Sequence, residues 1–282
     1  MQVNHADAFA GEVTSPEFRG GGKEFRALLK GRDGEPGNYR MVYARQTGAV
    51  AGPRHRHNFD QFRFCVSGRV NYGRDRWIEA GEIAYFPEGA HYGPEESDIE
   101  RLAITIQFGG ASGRGFVSET EQLAAMEDLK KTGVFEKGVY RRIDNPPEGV
   151  RRNQDSFEAI WEHVSQRRIE YPAPRYDEPV LMRPRNFAWM PVKGEPGVAT
   201  RRLGCFTERN IEAATLKCEP GARASFAARG GERLGFVVRG AGEIAGQGLR
   251  AHSAFALAPG ETGVFAASAA TELLVIGLPE FA

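Results

Sequence analysis

The chain has 282 residues, with 37 lysines and arginines against 37 aspartates and glutamates, so its formal net charge is zero. That balance argues against nucleic acid as the main partner, because phosphate binding needs a basic surplus or stripe. Apolar residues at 41% and charged residues at 26% exclude a disordered composition, and no run approaches the ~18 uninterrupted apolar residues of a membrane span. The first residues, MQVNHADAFAGEV, lack the basic start and apolar run of a signal peptide. Cys65, Cys205 and Cys218 are odd in number and without CxxC spacing, so no disulfide framework is expected. These features predict a cytoplasmic protein with neither a nucleic-acid nor a membrane partner.

Glycine (35) and proline (16) recur between short runs rich in Val, Ile, Phe and Tyr, the texture of an all-β barrel or sandwich. In the first half the expected strands are Tyr39–Arg45, Phe59–Ser67, Val70–Tyr72, Ile83–Phe86 and Leu102–Phe108. Ser118-Glu-Thr-Glu121 then gives a capping-box signature, followed by Leu123, Met126 and Leu129 at helical spacing. A second helix is predicted over Ser156–Arg167 with Asp155 as N-cap, since Phe157, Ile160, Trp161 and Val164 recur at i, i+3, i+4 and i+7. A proline-rich link, Tyr171-Pro-Ala-Pro174 and Glu178-Pro179, follows. The β texture returns in Arg201–Thr207, Ala213–Cys218, Leu234–Arg239, Glu243–Ala245, Ala254–Leu257 and Leu273–Ile276.

The halves share a local pattern. Phe62-Arg-Phe-Cys-Val-Ser-Gly68 parallels Leu234-Gly-Phe-Val-Val-Arg-Gly240, and Phe86-Pro-Glu-Gly89 parallels Leu257-Ala-Pro-Gly260. That is a duplicated β unit.

Three of the six histidines fall between positions 55 and 91. In an extended segment His55-Arg-His57 turns both rings to one face, and Gln61 has the same parity. Two imidazoles and an amide oxygen, joined by a side chain from a neighbouring strand, suit a divalent transition metal. A chance surface pair is the bland alternative.

Gly52-Pro-Arg-His55-Arg-His57-Asn-Phe-Asp-Gln61, then six residues and Gly68, resembles the first cupin motif. Gly81-Glu-Ile-Ala-Tyr-Phe-Pro87-Glu-Gly89-Ala-His91 resembles the second. The resemblance implies an all-β chain of two cupin (jelly-roll) barrels with a short helical connection. The barrels would span 1–115 and 186–282, and the connection 116–185. It also implies a metal, iron, manganese, nickel or zinc, held by His55, His57, Gln61 and His91.

Three departures qualify it. Gln61 stands where the family usually has glutamate; a neutral amide binds more weakly and favours an anionic co-ligand. By strict count of the second motif Tyr92 takes the ligand slot. On chemistry His91 is preferred, with Tyr92 as pocket wall or phenolate ligand. In the second half Ala227, Arg229, Arg233 and Thr262 fall at the places of His55, His57, Gln61 and His91, so that barrel is expected to be metal-free and structural. His252 lies outside the pattern and reads as a surface residue.

Alternation from Gln61 sends Arg63 and Cys65 inward. Arg63 could fork onto a substrate carboxylate or phosphate, or pair with one of the chain's own carboxylates; Cys65 reads as a buried filler. The leading expectation is a metal-dependent, dioxygenase-like enzyme acting on a small anionic organic substrate. The alternative is a non-catalytic binding or sensing protein with a decayed metal site. Cupins often dimerise, so a homodimer is expected.

Overall fold

Short runs alternating between two faces build two antiparallel barrels, each made of a large sheet and smaller facing strands. The computed structural model describes residues 1–6, 23–113, 116–146 and 148–281. The first large sheet runs, edge to edge, Val180–Met182, Ile83–Phe86, Asp60–Ser67, Arg101–Phe108, Tyr39–Gln46 and Lys23–Lys30. The second runs Gln2–His5, Ser253–Leu257, Arg233–Arg239, Thr271–Gly277, Glu212–Cys218, Val198–Cys205 and Met190–Pro191. The expected strands lie within or close to these bounds, in corresponding order, except Val70–Tyr72 and Glu243–Ala245, which fall in the smaller facing sheets. The shared glycines have a common cause: Gly68 and Gly240 both adopt positive φ (70° and 89°). A Cβ at either would sit 2.4 Å from a backbone carbonyl, that of Glu100 or of Ala270.

Strands remote in sequence finish each sheet. Gln2–His5, at the start of the chain, pairs with Ser253–Leu257 in the second barrel. Val180–Met182, after the helices, pairs with Ile83–Phe86 in the first. Both are short and carry no alternating pattern long enough to read.

The large sheets pack back to back. Phe62, Phe64, Ile104, Ile106 and Phe108 from the first meet Leu234, Phe236, Leu274 and Ile276 from the second in one buried cluster. Alternation then leaves Gln61, Arg63, Cys65, Thr105 and Gln107 for the interior of the first barrel. His252 sits half-buried at this seam rather than on the open surface, bonded through Nδ1 to the Tyr43 hydroxyl (2.8 Å).

The connection is richer than a helical link. Its helices, Glu119–Lys130 and Ser156–Ser165, flank a three-stranded sheet of Gly133–Glu136, Val139–Arg142 and Asn153–Asp155. Strands of three or four residues give no periodic signal. Both helix starts are capped as expected: Ser118 and Glu121 bond reciprocally, and Asp155 accepts from Phe157 and Glu158. The second helix stops at Ser165, where Gln166 turns left-handed (φ 53°). Ala125, Met126 and Leu129 pack on Ala159 and Ile160, while Leu123 is exposed. Phe157 and Trp161 join Phe59 and Val117 over the first barrel. No helix among the described residues is long and apolar enough to cross a membrane.

Candidate functional site

The first barrel encloses a cavity of about 100 Å³, lined among others by His55, His57, Gln61, Arg63 and Tyr92. The two motifs are held together by backbone pairing. His55 and Tyr92 form an antiparallel bridge with both N–H···O bonds at 2.9 Å, and Gly89 N–H donates to the His57 carbonyl (2.8 Å). A buried carboxylate pair fixes the second motif from behind. Asp60 accepts from Glu88 N–H (2.7 Å) and the Tyr85 hydroxyl (2.9 Å), and Glu88 accepts from Ser112 and Arg175. Burial, with the Glu88 charge beside it, pushes the Asp60 carboxyl up to about 7.

The bridge decides which ring faces inward. Residues opposite each other in an antiparallel pair share a face, so Tyr92 lies on the side of His55, and His91 falls on the side of Arg54 and Arg56. Tyr92 is 5% exposed with its ring 4.3 Å from that of His55. His91, preferred on ligand chemistry, does not line the cavity. Partial burial and the charges of Arg54 and Arg56 lower its pKa.

His55 Nδ1 lies 2.7 Å from the Pro53 carbonyl, which can only accept, so Nδ1 carries a proton. The ring centroids of His55 and His57 are 5.1 Å apart. Two imidazoles sharing one metal at Zn–N distances of about 2.0–2.1 Å and roughly right angles have centroids about 4.5–5 Å apart. The spacing of the two rings is close to that of imidazoles sharing one ion. The oxygen side is weaker. The Gln61 carbonyl oxygen accepts from Gln107 Nε2 (2.9 Å), and the Tyr92 hydroxyl accepts from Arg63 Nη2 (3.0 Å). Among the described residues no group of three or more His, Cys, Asp or Glu gathers to hold a metal.

Arg63 does point inward. Its guanidinium pairs with Glu95 and lies over the rings of Phe86 and Tyr92 (4.6 and 5.0 Å). Burial opposes its charge, but Glu95 and Tyr92 outweigh that and raise its pKa. Cys65 is fully buried, and burial pushes its thiol up to about 11, which suits a filler and not a nucleophile.

Residues not singled out from sequence complete the wall. Arg40 bonds Gln107 Oε1 through Nε (2.7 Å) and pairs with Glu119 of the first helix (3.5 Å). Gln122 and Phe157 close the cavity from the helices, and Val42, Ala44 and Val50 give it an apolar side. Three arginines, Arg40, Arg63 and Arg101, face one carboxylate, Glu95, among the lining residues. Strand parity with Gln107 and Thr105 was the available signal for Arg101; Glu95, on a three-residue strand, had none.

Among the described residues the second barrel shows no counterpart of this site. Phe226, Phe255, Phe265, Leu249 and Val275 fill its interior. At the histidine and glutamine positions, Arg229 donates to the carbonyls of Glu232 and Leu278 and Arg233 to that of Ala227.

No protein-family model matches the chain, and no curated protein matches it in sequence. Solved structures do. A "putative dioxygenase" from Nostoc punctiforme superposes with a TM-score of 0.63 at 10% identity, covering 100% of this chain and 86% of the other. Oxalate decarboxylase from Bacillus subtilis gives 0.58 at 14% identity over 99% of this chain and 76% of that one. A bacterial pirin from Escherichia coli, in complex with nickel(II), gives 0.53 at 11% identity and 99% coverage of both. The fold is the bicupin fold. At these identities the likeness carries the architecture and leaves the chemistry of this chain to its own site.

Proposed function

We propose that the N-terminal barrel binds a small organic acid beside a divalent metal ion and acts on it in a dioxygenase-like reaction. The observation that carries this reading is the juxtaposition, in one cavity, of the His55–His57 pair with an excess of guanidinium over carboxylate. His55 and His57 would hold the ion, with the oxygens of Gln61 and Tyr92 as weaker neighbours. Such an ion, in a shell with open positions, supplies Lewis acidity or O₂ activation. The protein's own residues bind and orient. Arg63, fixed by Glu95 and Tyr92, presents positive charge, and Phe59 and Phe157 pack against the His57 ring. A shell with no carboxylate keeps the ion's full charge, which favours an anionic substrate.

A second reading, a non-catalytic binding or sensing protein, is favoured by one observation. The Gln61 and Tyr92 oxygens that would complete the shell already accept hydrogen bonds from Gln107 and Arg63.

Elemental analysis of untagged protein purified without chelator, alongside His57→Ala, separates the two. The enzyme reading expects near-stoichiometric iron, manganese, nickel or zinc that is lost in the variant. Negligible metal even after reconstitution would leave the binding protein as the account of the site.

A further inference from the structure

We propose that Arg101, rather than Arg63, is the anchor for the carboxylate of the cavity's ligand, and that this ligand is a small monocarboxylic acid with an apolar body. The inference deepens the reading above and rests on it for the presence of a ligand in this barrel.

The three cavity arginines are not equally available. Arg63 is committed to Glu95 and Tyr92, and Arg40 to Gln107 and Glu119. Arg101 makes one hydrogen bond, from Nε to the Gln46 side-chain oxygen (2.7 Å). Its two terminal nitrogens make none to the described residues. It is nevertheless 8% exposed. Those two nitrogens are not among the buried unpartnered atoms, and Arg101 lines the cavity, so an anion or water there can complete them. Its surroundings point to an anion. Glu95 is the one carboxylate among the described lining residues and is already paired with Arg63, so the buried group of Arg63, Glu95 and Arg101 carries one positive charge in excess. A second carboxylate would balance it, and a guanidinium fork accepts one in bidentate fashion. Burial lowers the Arg101 pKa to about 10 and nearby Arg63 works in the same direction, with Glu95 opposing them.

The register gives the ligand its shape. Arg101 pairs with Gln46, and the next inward rungs are Ala103 with Ala44, Thr105 with Val42, and Gln107 with Arg40. Successive inward rungs are about 6.6 Å apart. Small and apolar side chains therefore separate the Arg101 rung from the Gln61–Gln107 rung beside the histidines. A carboxylate on Arg101 directs an apolar body along Ala44 and Val42 toward His55 and His57.

The test is calorimetric titration of the full-length protein with acetate, butyrate, hexanoate and benzoate, each against its primary amide. Wild type is expected to prefer carboxylate over amide. Arg101→Met is expected to bind the carboxylates about 10- to 100-fold more weakly with amide affinity unchanged, so the preference disappears. Arg101→Lys, which keeps the charge and loses the fork, should fall between, and it serves alone if the methionine variant does not fold. A carboxylate preference undiminished in both variants, or undiminished in the lysine variant alone in that case, overturns the proposal. Wild type that binds none of the acids overturns it too. The metal content of wild type and His57→Ala then still judges the histidine half of the functional reading separately.

Discussion

The two barrels repeat one strand order and differ at an inward rung that decides what fills them. In the first, Arg63 stands opposite Ala84; in the second, Gly235 stands opposite Phe255. The large side chain has changed strands and lost its charge. A Cβ on Gly235 would lie 2.2 Å from the Phe255 ring, so that ring occupies the space an inward side chain would need. One arrangement leaves a polar cavity and the other a solid apolar core. Duplication thus separates two demands that conflict within a single barrel: buried polar groups suited to ligands, and the close packing that stabilises a domain.

The comparison can be broken most forcefully at Phe255. Fully buried in the second barrel, it should cost about 3–5 kcal/mol on replacement by alanine, read from urea unfolding, with metal content in the first barrel unchanged. A loss below about 1 kcal/mol would mean that this barrel does not depend on the ring. Next in size, Gly235→Ala should cost about 1–3 kcal/mol by overpacking against the same ring. Thermal unfolding of the variant at the wild-type temperature would contradict it. The smallest effect lies at the seam. Arg175 bridges buried Glu88 of the first barrel and exposed Glu208 of the second. The guanidinium of Arg175 holds the Glu208 carboxyl down to about 2. Because this pKa is depressed on folding, the pair stabilises above the ordinary glutamate range near 4.5 and fades as pH falls toward 2. Exposure limits the effect to a few tenths of a kcal/mol, so wild type should be slightly more stable than Glu208→Gln at neutral pH, and the two should converge as pH falls from about 4.5 toward 2. A difference that persists undiminished at the acid limit would assign Glu208 a different role.

The duplicated architecture was legible because it rests on local signals. Gly68 and Gly240 occupy turns that admit no side chain, and Ser118, Glu121 and Asp155 state where helices begin. The inward set Gln61, Arg63 and Cys65 followed from period-two alternation. What escaped depends on pairing across the chain. The His55–Tyr92 bridge, not the chemistry of imidazole, turns Tyr92 into the cavity and His91 away. Glu95 and Val180–Met182 sit on strands of three residues, and only their partners make them strands. Arg101 lay one residue before a strand whose parity was already apparent.

The pairing of Gln2–His5 with the second barrel has a consequence for synthesis. His5 meets Ser253 across 248 residues of chain, so the first strand emerges from the ribosome long before its docking site exists. Until then it has no ladder to join. When Ser253–Leu257 does emerge, the strand covers an edge that would otherwise be open to a neighbouring chain. A C-terminal fragment cut at residue 186 would carry that edge bare, and its tendency to self-associate would reveal how much solubility the first few residues confer on the last barrel.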